Sequence, residues 1–254
     1  MKTLILYIVV YCASLLGGTV AAKKPHPMLV NAQKFIGTPY AAATLEKGDE
    51  EQLVINCAKV DCTTLVEYVL AQSLSSPKES FAEVLQRIRY RDGHIDGYAS
   101  RLHYISDWIN NGIRNGFLED ITATHSSHIQ KLNIAYMSSH PEQYRQLTHS
   151  PSTIEKIKAH EQALTGQEIH WLPKDSLPPT GMSWIKNGDI IALTTNTPGL
   201  DIAHMGIAVY INGYLHLLHA SSSKKRVLTD PLTLRRMLDA SSNLTGIRVV
   251  RMRK

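Results

Sequence analysis

Apolar residues recur at two different periods along the chain, and the change between them separates a helical first part from a stranded last third. Leu65, Val66, Val69 and Leu70 fall on one helix face, with no Gly or Pro among them. Phe81, Val84, Leu85 and Ile88 repeat that spacing, and Leu102, Ile105 and Ile109 do so more sparsely. The pattern predicts helices over 28–36, from 62 onward, from 77, over 102–109, and from 151 to near Gly166. Gly37 and Pro39 stop the first of these, since proline cannot continue a helix. Ser76-Pro77-Lys78-Glu79 reads as a helix start, with an N-cap, proline at the first helical position and a capping-box glutamate. Leu53-Val54-Ile55 reads as a short strand, and the polar, Gly-bearing stretch 91–100 as a loop.

Beyond residue 188 the apolar positions come in short runs bounded by turn residues: 189–195, 204–210, 214–219 and 246–251. These predict an antiparallel sheet. Helices followed by strands make an α+β fold, with the N-terminal helices packed on the C-terminal sheet.

Asn212-Gly213 between two such runs is a strong hairpin signal. A two-residue turn sets Ile211 opposite Tyr214, Val209 opposite His216, Gly206 opposite His219 and His204 opposite Ser221. Side chains alternate along a strand, so His204, Gly206 and His219 share one face and His216 takes the other. His204 and His219 become diagonal neighbours, roughly 7–8 Å apart at the backbone. Opposite faces exclude His216 and His219 as a metal pair. His125 and His128 have no evident third ligand, so no metal is expected there either.

The composition is ordinary, and the net charge of +5 is spread along the chain apart from short runs such as Lys224-Lys225-Arg226. That argues against a nucleic-acid partner. Lys2, the apolar run 4–16 and the small residues before Lys23 read as a signal peptide cleaved after Ala22. The run is shorter than the roughly 20 residues a spanning helix needs, and no later segment could cross a membrane. The expectation is an exported protein of the periplasm or cell envelope, one domain over 23–254, acting as a monomer. Cys12 leaves with the signal. Cys57 and Cys62 lie too close for an unstrained disulfide, and Cys57 reads as a buried free thiol.

Cys62 carries the chemistry. Asp61 is a good N-cap, which makes Cys62 the first residue of its helix, where the macrodipole favours a thiolate. His204, oriented by His219, is a suitable base for a cysteine nucleophile.

Thiol at a helix start, histidine on a strand and a polar residue on the next strand is the layout of papain-like cysteine hydrolases. Gly37-Thr38-Pro39-Tyr40, Asp61-Cys62-Thr63-Thr64-Leu65-Val66, His204-Met205-Gly206-Ile207 and His219-Ala220-Ser221 resemble the NlpC/P60 superfamily of cell-wall hydrolases. Thr44-Leu45-Glu46, the stretch 101–108 and Gly199-Leu200-Asp201 are most similar to its secreted N-acetylmuramoyl-L-alanine amidase-like branch. The resemblance implies the papain-like NlpC/P60 fold with a helical insertion over about 75–180. It also implies Cys62 as nucleophile, His204 as general base and acid, His219 as the orienting residue, and no cofactor. Tyr40 would stand near the thiol. Glu46, Arg101, Tyr104, Trp108 and Asp201 would contact substrate, Arg101 taking a carboxylate and Trp108 a sugar face. Asp107 of the same stretch reads instead as a solvated helix residue. The implied substrate is peptidoglycan or its muropeptide fragments, cut at the bond between N-acetylmuramic acid and L-alanine. The alternatives are an endopeptidase cutting between D-glutamate and the diamino acid, acyl transfer to an amine, and a non-catalytic cell-wall binding module. Ala41-Ala42-Ala43 replaces the family's Gly-Gly, and Thr63 its Ser, which bears on cleft shape.

Overall fold

Among the described residues, nine strands account for the apolar runs and for short pairings the sequence hides. They are β1 (Leu118–Asp120), β2 (Ile129–Lys131), β3 (Glu168–His170), β4 (Leu172–Pro173), β5 (Ile190–Thr195), β6 (Ile202–Ile211), β7 (Tyr214–Ser221), β8 (Arg226–Thr229) and β9 (Leu244–Met252). This computed structural model describes residues 26–48 and 50–253, so the signal-peptide reading lies outside the described residues. One antiparallel sheet takes the order β1-β9-β5-β6-β7-β8, with β4 also on β9, while β2 and β3 pair separately. The α+β expectation holds, helices mostly first and sheet last. No helix among the described residues is long and apolar enough to span a membrane.

Helices α1 (Pro27–Gln33), α2 (Cys62–Leu74), α3 (Phe81–Arg89) and α4 (Ile105–Arg114) precede the main strands. Shorter α5 (Thr122–His125) and α6 (Tyr136–Ser139), then α7 (Pro151–Leu164), follow, and α8 (Leu234–Asp239) lies between β8 and β9. Ile190, Ala192, Met205, Ile207 and Val250 pack with Leu65, Val66 and Val69 of α2. Ile191, Leu193, Ala208, Leu217 and Val249 pack with Leu234 and Leu238 of α8 on the opposite side. Each buried Leu, Ile or Val contributes about 1.5–3 kcal/mol, so covering both faces holds the sheet rigid. A third core, built from Tyr98, Tyr104, Leu132, Ile134, Met137, Leu147, Ile157 and Leu164, belongs to the segment between Cys62 and His204.

Local sequence signals failed where a rival was stronger. The third helix begins at Phe81 because Ser80 and Glu83 form the capping box, Ser80 N–H donating 2.7 Å to Glu83. Ser76-Pro77-Lys78-Glu79 closes instead into a tight turn. The segment 53–55 is not a strand. Side chains tether this stretch: Arg89 donates to the Val54 carbonyl (2.6 Å), and the Tyr68 hydroxyl accepts from the Asn56 amide (2.9 Å). Cys57 consequently lies in an exposed turn, not in the core, although both cysteines are free thiols as expected.

Candidate active site

The helix that begins at Cys62 is fixed at its first turn. Asp61 is extended, its carboxylate accepts from the Thr64 amide (2.8 Å), and the Thr64 hydroxyl accepts from the Asp61 amide (2.9 Å). A backbone strap hangs this helix start on the sheet. The Gly37 amide donates to Val227 O (2.9 Å), the Val227 amide donates to Thr38 O (2.8 Å), the Tyr40 amide donates to Lys225 O (2.9 Å), and the Ala41 amide donates to Val60 O (3.0 Å). The Gly37-Thr38-Pro39-Tyr40 motif is therefore the connection between β8 and the residue preceding the Asp61 cap. It leaves Tyr40 beside the thiol, where burial, then Cys62, then Asp61 push its phenol up.

The histidines come from a hairpin with the expected register. Ile211 opposes Tyr214, Val209 opposes His216, and the ladder ends at Ile207 and Leu218. Asn212 and Gly213 both have positive φ (49° and 82°), as a primed two-residue turn requires. Beyond the end of that ladder, β7 continues with β8 from Leu218 to Ser221 and β6 with β5 back to Ile202. The strands hand over partners at the level of Gly206. A Cβ there would sit 2.7 Å from Leu218 O and 3.0 Å from the His219 Cβ, so only glycine admits this approach. Ala203 is the extra residue of a β-bulge against Leu193–Thr194, one residue before His204.

Within this opening His204 Nε2 lies 2.7 Å from His219 Nδ1, the rings perpendicular with centroids 4.9 Å apart. Met205, next in sequence to His204, lies close enough to Cys62 for its backbone amide to favour an anion on the sulfur. His219 Nε2 lies 3.3 Å from the Asp230 carboxylate, a residue that sequence reasoning missed. Its position just after β8, three residues before the helix cap at Thr233, gave no signal without the fold.

The thiol is not held as a resting thiolate. Burial first and the Asp61 carboxylate second push it up to about 11, against smaller opposing hydrogen bonds from Thr63 and Met205. The helix terminus does favour an anion, but the capping carboxylate already occupies that end. Burial, then His219, push His204 down to about 3, so the imidazole is neutral. Alkylation by iodoacetamide is therefore expected to rise steadily above pH 8, with no plateau between pH 5 and 7. Asp61→Asn keeps a capping oxygen and removes a negative charge, so it should move that curve to lower pH. A wild-type plateau below pH 7 contradicts the neutral pair.

A cavity of about 320 Å³ adjoins the residues flanking Cys62, with Asp61 and Thr63 on one wall and Glu46, Arg101 and Tyr144 on others. Glu46 and Arg101 stand where a substrate wall was expected, but Arg101 is already matched. It donates to Glu46 (2.6 Å) and bidentately to Glu51 (2.6 and 2.9 Å) and lies 5.1 Å over the Tyr98 ring. Its charge is spent within the protein. His103, which was not singled out in the sequence, also lines the cavity, neutral because burial and Arg101 lower it to about 3.

Tyr104, Trp108 and Asp201 are not in the cleft. Tyr104 is buried in the third core, donating to Glu161 (2.6 Å) and accepting from the Met137 amide (2.9 Å). Trp108 is 1% exposed inside the main core, so no sugar face can reach it. Asp201 is buried and accepts from the Ser106 amide (2.6 Å) in the first turn of α4, a long-range cap. Asp107 is likewise buried, in a bidentate pair with Arg91 (3.1 and 2.7 Å), and not solvated. His125 stacks on Trp184 with centroids 5.1 Å apart.

Residues 31–247 match the model of the AmiA-like family, described as N-acetylmuramoyl-L-alanine amidase-like. A structure described as an N-acetylmuramoyl-L-alanine amidase from Bacteroides uniformis is 56% identical, covers 90% of this chain and all of its own, and superposes with a TM-score of 0.88. A structure from Bacteroides fragilis described as a putative xylanase is 59% identical over 88% of this chain and all of its own, with a TM-score of 0.86. A Legionella pneumophila protein, LPG0564, shares the fold at 24% identity and a TM-score of 0.69, over 90% of this chain and 88% of its own. No curated protein compared with the chain matches it.

Proposed function

This chain belongs to the AmiA-like, N-acetylmuramoyl-L-alanine amidase-like family, and from that premise we propose that it hydrolyses the amide joining N-acetylmuramic acid to L-alanine in peptidoglycan. The observation that carries the reading is the pair His204–His219, whose facing nitrogens are 2.7 Å apart on adjacent strands, with Met205, the residue after His204, close enough to Cys62 for its amide to favour an anion on the sulfur. Because His204 Nε2 is engaged by His219, its Nδ1 is the nitrogen left for the thiol.

In this mechanism the Cys62 proton passes to His204 Nδ1 as the sulfur bonds the carbonyl carbon, and the carbonyl electron pair moves onto oxygen. The Cys62 amide at the helix start and the Tyr40 hydroxyl stabilise that oxyanion. Collapse breaks the C–N bond, the leaving nitrogen takes the proton from His204, and water resolves the thioester by the same route in reverse. A neutral thiol and a neutral imidazole suit it, since His204 must arrive able to accept a proton. We place the chain in the NlpC/P60 superfamily with its papain-like fold on the same grounds, one domain over 23–254, and its site in the periplasm or cell envelope on the N-terminal pattern.

The name xylanase attached to the fragilis structure asks for different chemistry. Glycosidases generally need two carboxylates astride the scissile bond. Here Glu46 is paired with Arg101, Glu67 with Arg89 (2.8 Å), and Asp61 caps its own helix, which supports the amidase over that activity. Digestion of purified muropeptides followed by mass analysis tests the bond. The expected products are an intact stem peptide with a free L-alanine amine and a peptide-free muramic acid. Release of a fragment beginning with the diamino acid would mark an endopeptidase instead.

A further inference from the structure

We propose that Asp230 is a positioning residue that sets the tautomers of both histidines and thereby makes His204 a base. The proposal rests on the reading of His204 as the proton acceptor. It deepens that reading by one residue that the sequence resemblance does not supply.

Asp230 is built into its place. Its amide donates to Leu217 O (2.8 Å), its carbonyl accepts from His216 Nδ1 (2.9 Å), and its Oδ1 accepts from the Leu232 amide (2.8 Å). Those three contacts fix the backbone and one carboxylate oxygen, leaving Oδ2 to meet His219 Nε2 at 3.3 Å. The Asp230 side chain is 15% exposed and that of His219 4%. The two hairpin histidines thus approach Asp230 from opposite faces of β7, His216 at its backbone and His219 at its side chain.

A neutral imidazole carries one proton, and its position along the row of contacts is decided at the far end. A carboxylate only accepts, so the hydrogen of His219 sits on Nε2, facing Asp230. His219 Nδ1 then has a lone pair and must accept, so His204 Nε2 carries the hydrogen of that 2.7 Å contact. His204 Nδ1 is left unprotonated, the form able to take a thiol proton. The opposite arrangement sets a bare His219 Nε2 against a carboxylate oxygen and leaves N–H on His204 Nδ1, where it cannot act as a base. During attack the proton moves from sulfur to His204 Nδ1 and no farther. His204 Nε2–H stays donated to His219, and Asp230 stays ionised beside the charge that forms.

Asp230→Asn tests this with little structural change. Its amide oxygen can still accept from Leu232, while its NH₂ donates to His219 Nε2 and reverses both tautomers. The expected result is a roughly 10²- to 10⁴-fold lower kcat with KM changed less than about threefold. Nitrogen NMR of ¹⁵N-histidine-labelled protein should move the proton of His204 from Nε2 to Nδ1, and Asp230→Glu should recover part of kcat. Unchanged kcat together with unchanged tautomers overturns the proposal, as does an equal loss in the Asn and Glu variants with wild-type tautomers. His204→Ala and Cys62→Ala, assayed alongside, separate the two levels. If either keeps full turnover the base reading fails, whereas the tautomer measurement stands independently of activity.

Discussion

Cys62→Ala is expected to lower amidase turnover by about 10⁵- to 10⁶-fold, with muropeptide binding retained. In the proposed mechanism the sulfur is the atom that exchanges one covalent bond for another, and no neighbouring group replaces it. Thr63 Oγ1 lies 3.9 Å from the sulfur but is a weak nucleophile without the imidazole aligned to it. His204→Ala should fall to nearly the same floor, because a nucleophile without its base and a base without its nucleophile are equally idle. The double variant should be no slower than either single one. Initial rates on purified muropeptides, with calorimetric binding to the same ligands, give the comparison. Undiminished turnover in Cys62→Ala removes the cysteine mechanism, and ligand binding with no turnover in the wild type leaves only a cell-wall binding module.

The second large effect is on stability. Arg89→Met is expected to destabilise the protein by about 3–5 kcal/mol, because it strands the Glu67 carboxylate in the core. The two side chains are 1% and 3% exposed and meet at 2.8 Å. Burial dominates at Glu67 and pushes its carboxyl up, with Arg89 opposing. The substitution also frees the Val54 carbonyl, one of the tethers on the segment that leads to Cys62. A fall in melting temperature of roughly 6–20 °C corresponds to that loss for a chain of this size. Glu67→Gln combined with Arg89→Met should recover much of the deficit, since neither side chain then carries an unpaired charge. A single variant that melts like the wild type contradicts the buried-pair argument.

The parts of the site that the sequence disclosed are those written in short-range signals. Asp61 before an uninterrupted apolar face placed Cys62 at a helix start, and Asn212-Gly213 set the hairpin register that brings His204 toward His219. Readings that required knowing which neighbours a helix face would meet went astray. Trp108 and Tyr104 carry polar atoms suited to a ligand, yet Trp108 on α4 turns onto the main core and Tyr104, the residue before α4, onto the third core. Arg101 was located correctly but its partners were not, because Glu51 lies 50 positions earlier in a segment without secondary structure. Asp230 was invisible for the same reason. Its partner His219 is 11 residues away across β8, at a spacing shared with no local motif.

The cavity beside Cys62 has walls of two origins. Asp61 caps α2, and Thr63 and Glu67 lie on that helix, which packs into the main core, whereas Tyr98, His103 and Tyr144 belong to the segment organised around the third core. Under the proposed reading, reactivity rests on the helix start and selectivity partly on a separately packed segment. Leu102 of the cavity wall is tied to the main core and Arg101 to Glu46 and Glu51, so for an amidase of this kind residues 143–146 are the part of that wall to randomise for another stem peptide while sulfur and imidazoles keep their places.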